Sequence, residues 1–266
     1  QGIEEGFTKA WIIHSMGYAS GPSAYGRELE SPLDSDSLTA AAVAAAARAD
    51  AVLFFGGLNK NHRQDCEGAD RKSMALPFGQ DNLLETLIDV NSNIGVILIS
   101  GNAAAMDWLS EVEGVMQAWY LGSEAGTAIA DVVSGDVNPS GKLPFSFPVR
   151  LTDCPAHHYG TLSYPGVDKE QFYKEGIFVG YRWYDTRKIK PLFAFGHGLS
   201  YTEFAVRDTR TDKKTYVSED SIRLSCTVAN TGDFSGAEVV QVYVGKPDSR
   251  VKRPLKELKG FKKVQL

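Results

Sequence analysis

Ala51-Val52-Leu53-Phe54-Phe55-Gly56-Gly57, AVLFFGG, is the stretch that decides the fold. Five apolar residues run without a polar break, and two glycines end them. The length suits a strand, and a strand apolar on both faces belongs in a parallel sheet covered by helices. IGVILIS, residues 94–100, repeats the pattern, and GVMQAWY, residues 114–120, supplies a third strand. Helical signals fall between them. Asp34, Ser35 and Asp36 offer N-caps to an alanine-rich helix at about 37–49. In GQDNLLETLIDVN the apolar positions 83, 84, 87, 88 and 90 have helical spacing. NAAAMDWLSEV, residues 102–112, predicts a short helix. Residues 123–135 predict another, with Ser123 as N-cap and Gly135 as stop. Strands alternating with helices give an α/β domain.

Beyond about residue 136 the pattern changes. NPSGKLPFSFP is turn-rich, and residues 151–200 are aromatic and irregular. From about 203 the period becomes two: Ile222, Leu224, Cys226 and Val228 fall on one face, and Val240, Val242 and Val244 alternate again. This is the signature of an all-β, immunoglobulin-like sandwich. Such a sandwich needs roughly 100 residues, so an incomplete one is expected. The expected division is an α/β domain at 1–200, its first strand missing, and a β domain at 201–266.

Composition narrows the function. The 266 residues are 43% hydrophobic and 23% charged, as in a soluble globular protein. The net charge of −5 argues against a nucleic-acid partner. No apolar run approaches the roughly 18 residues of a membrane span. No signal peptide is visible in these residues, and the opening, QGIEEGF, reads like the middle of a longer sequence. Three widely spaced cysteines, Cys66, Cys154 and Cys226, read as idle thiols, with one disulfide as the alternative. Without a CxxC pair, a structural zinc site is not expected.

The loop after AVLFFGG carries QDCEGADR, residues 64–71, at the carboxyl end of a parallel strand, where α/β proteins build sites. Two readings compete. Glu67 could serve as a general acid, a carboxyl group suited by burial or like-charge neighbours such as Asp65 and Asp70. Gly68 beside it would let the backbone pass close to a ligand. Alternatively the stretch is a solvated acidic loop in which Arg71 pairs with Asp70. Other residues offer less. His62 precedes Glu67 in the same loop and could meet a ligand hydroxyl. His157-His158 lacks partner ligands at metal spacing. Gly56-Gly57 and GSEAG at 122–126 fit no phosphate-binding fingerprint. Tyr181, Trp183 and Tyr184 read as a packing cluster more than a sugar-stacking face. Ser100 and Ser123 lack a nucleophile-elbow context.

Several stretches taken together resemble one family. They are GLN, EGADR and LPFGQDNLL; VILISGNAAAMDWL; QAWYLGSEAGTAIADVVSGDVNPSGKLPFSFP; YKEGIFVGYRWYD with PLFAFGHGLSYTEF; and VANTGDFSGAEVVQVYV with RPLKELKGFKKV. In this order they resemble the C-terminal half of a glycoside hydrolase family 3 enzyme of the β-glucosidase type. The resemblance implies an α/β sandwich domain followed by a fibronectin III-like domain, with a TIM-like barrel on the N-terminal side. It implies hydrolysis of β-glycosides with retention. An aspartate of the barrel acts as nucleophile, and a glutamate of the α/β domain acts as general acid/base. In a retaining pair the two carboxyl groups stand roughly 5–5.5 Å apart.

The glutamate of the family's E-G-x-D-R motif falls on Glu67. Many relatives carry a second glutamate two positions earlier, where this chain has Asp65. Beside Glu67, Gly68 and an internal pair of Asp70 with Arg71 are expected to shape the loop, and His62 and Asp65 are candidate substrate contacts. No segment resembles the barrel motif with the nucleophile, so the chain by itself is expected to be inactive. The implied partners are a β-linked glycoside and the barrel, and the resemblance leaves room for a homodimer. The chemistry needs no metal or organic cofactor. Family habit points to secretion or the periplasm. A non-catalytic carbohydrate-binding or scaffolding module, a β-xylosidase of the same family and a nucleotide-binding α/β protein are the competing readings.

Overall fold

The computed structural model describes residues 4, 7, 9–20, 31–61 and 63–266. Contacts divide the chain into two compact units, Gln1–Ala130 with Phe147–Cys154, and Asp131–Ser146 with Pro155–Leu266.

The first unit is built on a three-stranded parallel sheet. β1 (Val52–Gly57), β2 (Ile94–Ile99) and β3 (Gly114–Gln117) lie side by side in that order. Val52 pairs with Ile94 and Gly95 with Gly114, so all three carboxyl ends open on one edge. β2 is central, and Ile94, Val96, Ile97 and Leu98 are fully buried. β1 lies at one edge of this order, with Phe54 buried but Leu53 and Phe55 part-exposed. The expectation of two covered faces therefore holds for β2 and only in part for β1.

Helix α1 (Ser35–Ala46) starts where Asp34 accepts a hydrogen bond from Ser37 N at 3.1 Å, a side-chain N-cap. It packs against α2 (Gln80–Val90), whose Leu83, Leu84 and Leu87 form the buried face. Asn91 closes the pair by donating to the carbonyls of Ala46 and Ala49 at 3.0 and 2.8 Å. α3 (Ala125–Ser134) ends at Gly135, as expected. The helix expected at 102–112 does not form; only a 3₁₀ turn, Leu109–Glu111, is present. That backbone is held by tertiary bonds instead, with Ala105 N donating to Met74 O at 2.8 Å.

The second unit contains two short helices, α4 (Pro155–His158) and α5 (Tyr181–Arg187), and two antiparallel strand pairs. β4 (Phe204–Thr211) pairs with β5 (Leu224–Asn230), with a bulge between Arg207 and Arg210. β6 (Ala237–Val244) pairs with β7 (Glu257–Gln265). An α/β region followed by antiparallel β structure is the expected fold class. On α5, Trp183 and Tyr184 are buried and the Tyr181 hydroxyl accepts from Leu258 N at 2.7 Å, so the aromatic trio packs the interior. His157 lies edge-on to Tyr164, and His158 to Trp183. The three cysteines form no disulfide with one another.

Candidate active site

The loop from Leu58 to Pro77 leaves β1 at the edge where all three strands end. Its two ends are fixed by one side chain. Gln80, almost fully buried, accepts from Gly57 N at 2.7 Å and donates to the carbonyls of Gly57 and Pro77, both at 2.9 Å. A side chain that satisfies three backbone groups, two of them buried, is costly to remove, because the buried ones would be left without a partner. Asp81 adds a second clasp, accepting from Leu76 N at 2.8 Å and from the buried Trp108 indole at 2.9 Å.

Asp65 is the hub of the loop. Its carboxylate accepts from Gly101 N at 2.6 Å, from the Asn102 side-chain amide and from the Tyr120 hydroxyl at 2.6 Å. Gly101 and Asn102 follow β2, and Tyr120 follows β3. One side chain thus joins the ends of all three strands. Its own N–H donates to Asn59 O at 3.0 Å. Arg71 extends the network by donating to Asn102 Oδ1 at 2.7 Å, to Ala103 O at 3.3 Å and to Ser73 O at 3.1 Å. The Lys60 ammonium sits 4.9 Å from the centre of the Tyr120 ring, a cation–π contact. Burial, and then the hydrogen bond to Asp65, push the Tyr120 phenol well above its ordinary range. Burial lowers the Arg71 guanidinium, opposed by the nearby Asp65 and Tyr120; so high a starting value leaves it a cation.

Glu67 is placed differently. It is exposed, and among the described residues its carboxylate has no hydrogen-bond or ion-pair partner. Gly68 follows with φ +79°, and nothing lies within 4 Å of where a Cβ would stand. It is the left-handed backbone and not crowding that favours glycine here. The turn is closed by the weak contact of Cys66 Sγ with Ala69 O at 3.7 Å. Asp70 is also exposed. His62 lies outside the described residues. The structure therefore brings Asp65 and Arg71 into one network and sets Glu67 at its margin.

Sequence reasoning did not find Gly101, Asn102, Tyr120, Lys60 or Gln80 as parts of this site. Asn102 and Tyr120 follow strands β2 and β3, so the rule that sites form at the carboxyl ends of parallel strands pointed to them. The hydrogen bonds themselves span 36 to 55 residues and leave no local trace.

With this geometry in view, comparison with known proteins is decisive. The model of the glycosyl hydrolase family 3 C-terminal domain matches residues 1–181, and that of a fibronectin type III-like domain matches residues 238–266. The chain belongs to glycosyl hydrolase family 3.

Among its relatives, the β-glucosidase BoGH3A of Bacteroides ovatus is 52% identical over 256 residues, covering 96% of this chain and 34% of that protein. The thermostable β-glucosidase B of Acetivibrio thermocellus is 43% identical over 98% of this chain and 33% of its own length. The crystal structure of DesR, a β-glucosidase from Streptomyces venezuelae in complex with D-glucose, superposes with a TM-score of 0.81. It is 40% identical, over 89% of this chain and 29% of that one. The chain spans about a third of the length of the curated relatives it matches.

Proposed function

We propose that this family 3 chain forms part of a retaining β-glucosidase and supplies its general acid/base, Glu67. The observation that carries the reading is the unequal state of two carboxylates on one loop. Asp65 is saturated by three donors, whereas Glu67 is exposed and unpartnered among the described residues. A carboxyl group that must give a proton to a leaving oxygen and later take one from water needs free access to both. A carboxylate already holding a loop together is poorly suited to that exchange. On this reading Asp65 and Arg71 hold the loop, Gly68 and Asp70 shape its turn, and His62 remains a candidate for the leaving-group side. The relatives' names, all β-glucosidases, support the substrate class.

The nucleophile, on this proposal, is an aspartate of an N-terminal barrel in the longer polypeptide, standing roughly 5–5.5 Å from Glu67. The 266 residues alone would then be inactive. The domain division proposed is an α/β domain through residue 200 and a fibronectin III-like domain from 201. No helix among the described residues is long and apolar enough to cross a membrane; a secreted or periplasmic location is proposed from family habit.

The test is a leaving-group comparison in the full-length enzyme. Glu67→Gln should lower hydrolysis of an alkyl β-glucoside by roughly 10³-fold, within the range for loss of acid catalysis. With an activated nitrophenyl glucoside, which needs little protonation, the first step should fall far less. Equal losses on both substrates would sink the assignment. Turnover by the 266-residue chain near that of the full enzyme would sink the divided active site.

A further inference from the structure

The second unit holds a cleft of about 440 Å³ that plays no part in the site above. Its lining includes Tyr159, Lys174, Glu175, Phe178, Arg187 and Lys252. Glu175 is 8% exposed, and its Oε2 is buried without a hydrogen-bond partner among the described residues. A carboxylate oxygen shut away from water without a donor is unfavourable, because it gives up hydration and gains nothing in return.

Cations line the same cleft, and two of them, Arg187 and Lys252, make contacts with other groups. Arg187 lies over the Trp183 ring at 4.7 Å and donates to the Tyr159 hydroxyl at 2.8 Å. Lys252 lies over the Phe178 ring at 5.1 Å. The segment that carries Glu175 is a run of tight turns, with Gly176 N donating to Tyr173 O and Phe178 N to Glu175 O, each at 3.1 Å. Two residues to either side of Glu175 in sequence, Tyr173 is 74% exposed and Ile177 56%, and next to Lys252, Val251 is 61% exposed. Apolar side chains in water beside a buried, unanswered charge are the makings of an interface: a desolvated polar centre beneath a greasy rim.

We propose that this cleft is a docking site for protein. Its occupant is the remainder of the longer polypeptide, which delivers a lysine or arginine side chain to Glu175 and covers Tyr173 and Ile177. Two facts select that occupant. The charge complementarity calls for a cation, and the relatives are about three times the length of this chain. The proposal does not depend on the role of Glu67.

The sign of one substitution tests it. Glu175→Gln in the full-length polypeptide keeps the shape and removes the charge. If a cation answers Glu175, the variant strands that cation, and Tm should fall by at least ~2 °C. Amide exchange over residues 172–179 should speed up as well. An unchanged or raised Tm would overturn the proposal, since losing an unpaired buried charge relieves the protein. If Glu175→Gln does not accumulate as folded protein, Ile177→Ser carries the test. A rim residue covered by a partner lowers Tm when made polar, and one that stays in water does not. Protection of 172–179 that rises with protein concentration would assign the cleft to a second copy and overturn the proposal. Protection that needs added spermidine would assign it to a small amine, with the same result.

Discussion

Asp65 and Glu67 stand two residues apart on one loop, and their surroundings are opposite. The Asp65 half is bound to the ends of β2 and β3 through Gly101, Asn102 and Tyr120. The Glu67 half is a glycine turn facing water, its side chain unpartnered among the described residues. The difference is a division of labour along eight residues. A loop pinned close to an exposed carboxylate can present that group at a fixed place without spending the group's own hydrogen bonds. Positioning of this kind matters because small displacements of a catalytic group are expensive in rate. The comparison makes opposite demands on the two residues: the stability of the fold should depend on Asp65 and be indifferent to Glu67.

The largest expected effect is therefore at Asp65. Asp65→Ala leaves the Gly101 N–H, the Asn102 amide and the Tyr120 hydroxyl without their shared acceptor. Hydrogen bonds to a charged group are worth roughly 1.5–3 kcal/mol each and do not add, and water reaches this half-buried site. A loss of about 3 kcal/mol in unfolding free energy is expected, measured by urea denaturation. A loss below about 0.5 kcal/mol, the scale of an ordinary surface change, would break the comparison at its held end.

How much of this was legible in the sequence follows the same division. β1 and β2 were plain, because five or six apolar residues between glycines and turns leave few other fates. The stop at Gly135 was plain because capping is local chemistry, and of the three caps offered at 34–36 the first, Asp34, is the one used, with the helix starting two residues earlier than expected. The helix expected over 102–112 failed for a non-local reason. Alanine favours helix, but Asn102, Ala103 and Ala105 are held by Asp65, Arg71 and Met74 across more than thirty residues, and those bonds override propensity. β3 ends at Gln117, short of the expected Tyr120, because Trp119 takes φ +57° and the chain turns there. That turn precedes the residue whose hydroxyl meets Asp65. The motif drew attention to Glu67, but residues that hold its loop lie just beyond the ends of other strands. They could be found only once the sheet had brought the strand ends together.

A smaller effect should come from Tyr120, which adds a dependence on pH. Tyr120→Phe removes one of the three donors and should cost about 1 kcal/mol near neutrality. The Tyr120 phenol is raised in the folded protein by burial and by Asp65. An unfolded phenol ionises near 10, as a rough reference. Above that pH the unfolded chain gives up its proton first, so rising pH favours unfolding. The contribution of Tyr120 is fully present below pH ~10 and is lost as pH climbs through the raised folded value. Wild type should lose its advantage over Tyr120→Phe in that alkaline range. An advantage that stays constant from pH 8 upward would show that the phenol is not held protonated by this contact.

The smallest effect is the most discriminating, because it is an expected absence at a residue proposed to matter most. Glu67→Gln should leave unfolding free energy within about 0.5 kcal/mol of wild type, as for an exposed side chain without partners. A loss of 2 kcal/mol or more would mean that Glu67 shares the holding role of Asp65. The leaving-group comparison would then lose its meaning, since a loop that shifts when Glu67 is changed would slow every substrate alike. A neutral result does the opposite. It frees the kinetics of the full-length enzyme from any structural explanation, so that a selective loss on poor leaving groups belongs to the missing proton alone. Stability at one carboxylate and chemistry at its neighbour then become separable measurements on the same loop.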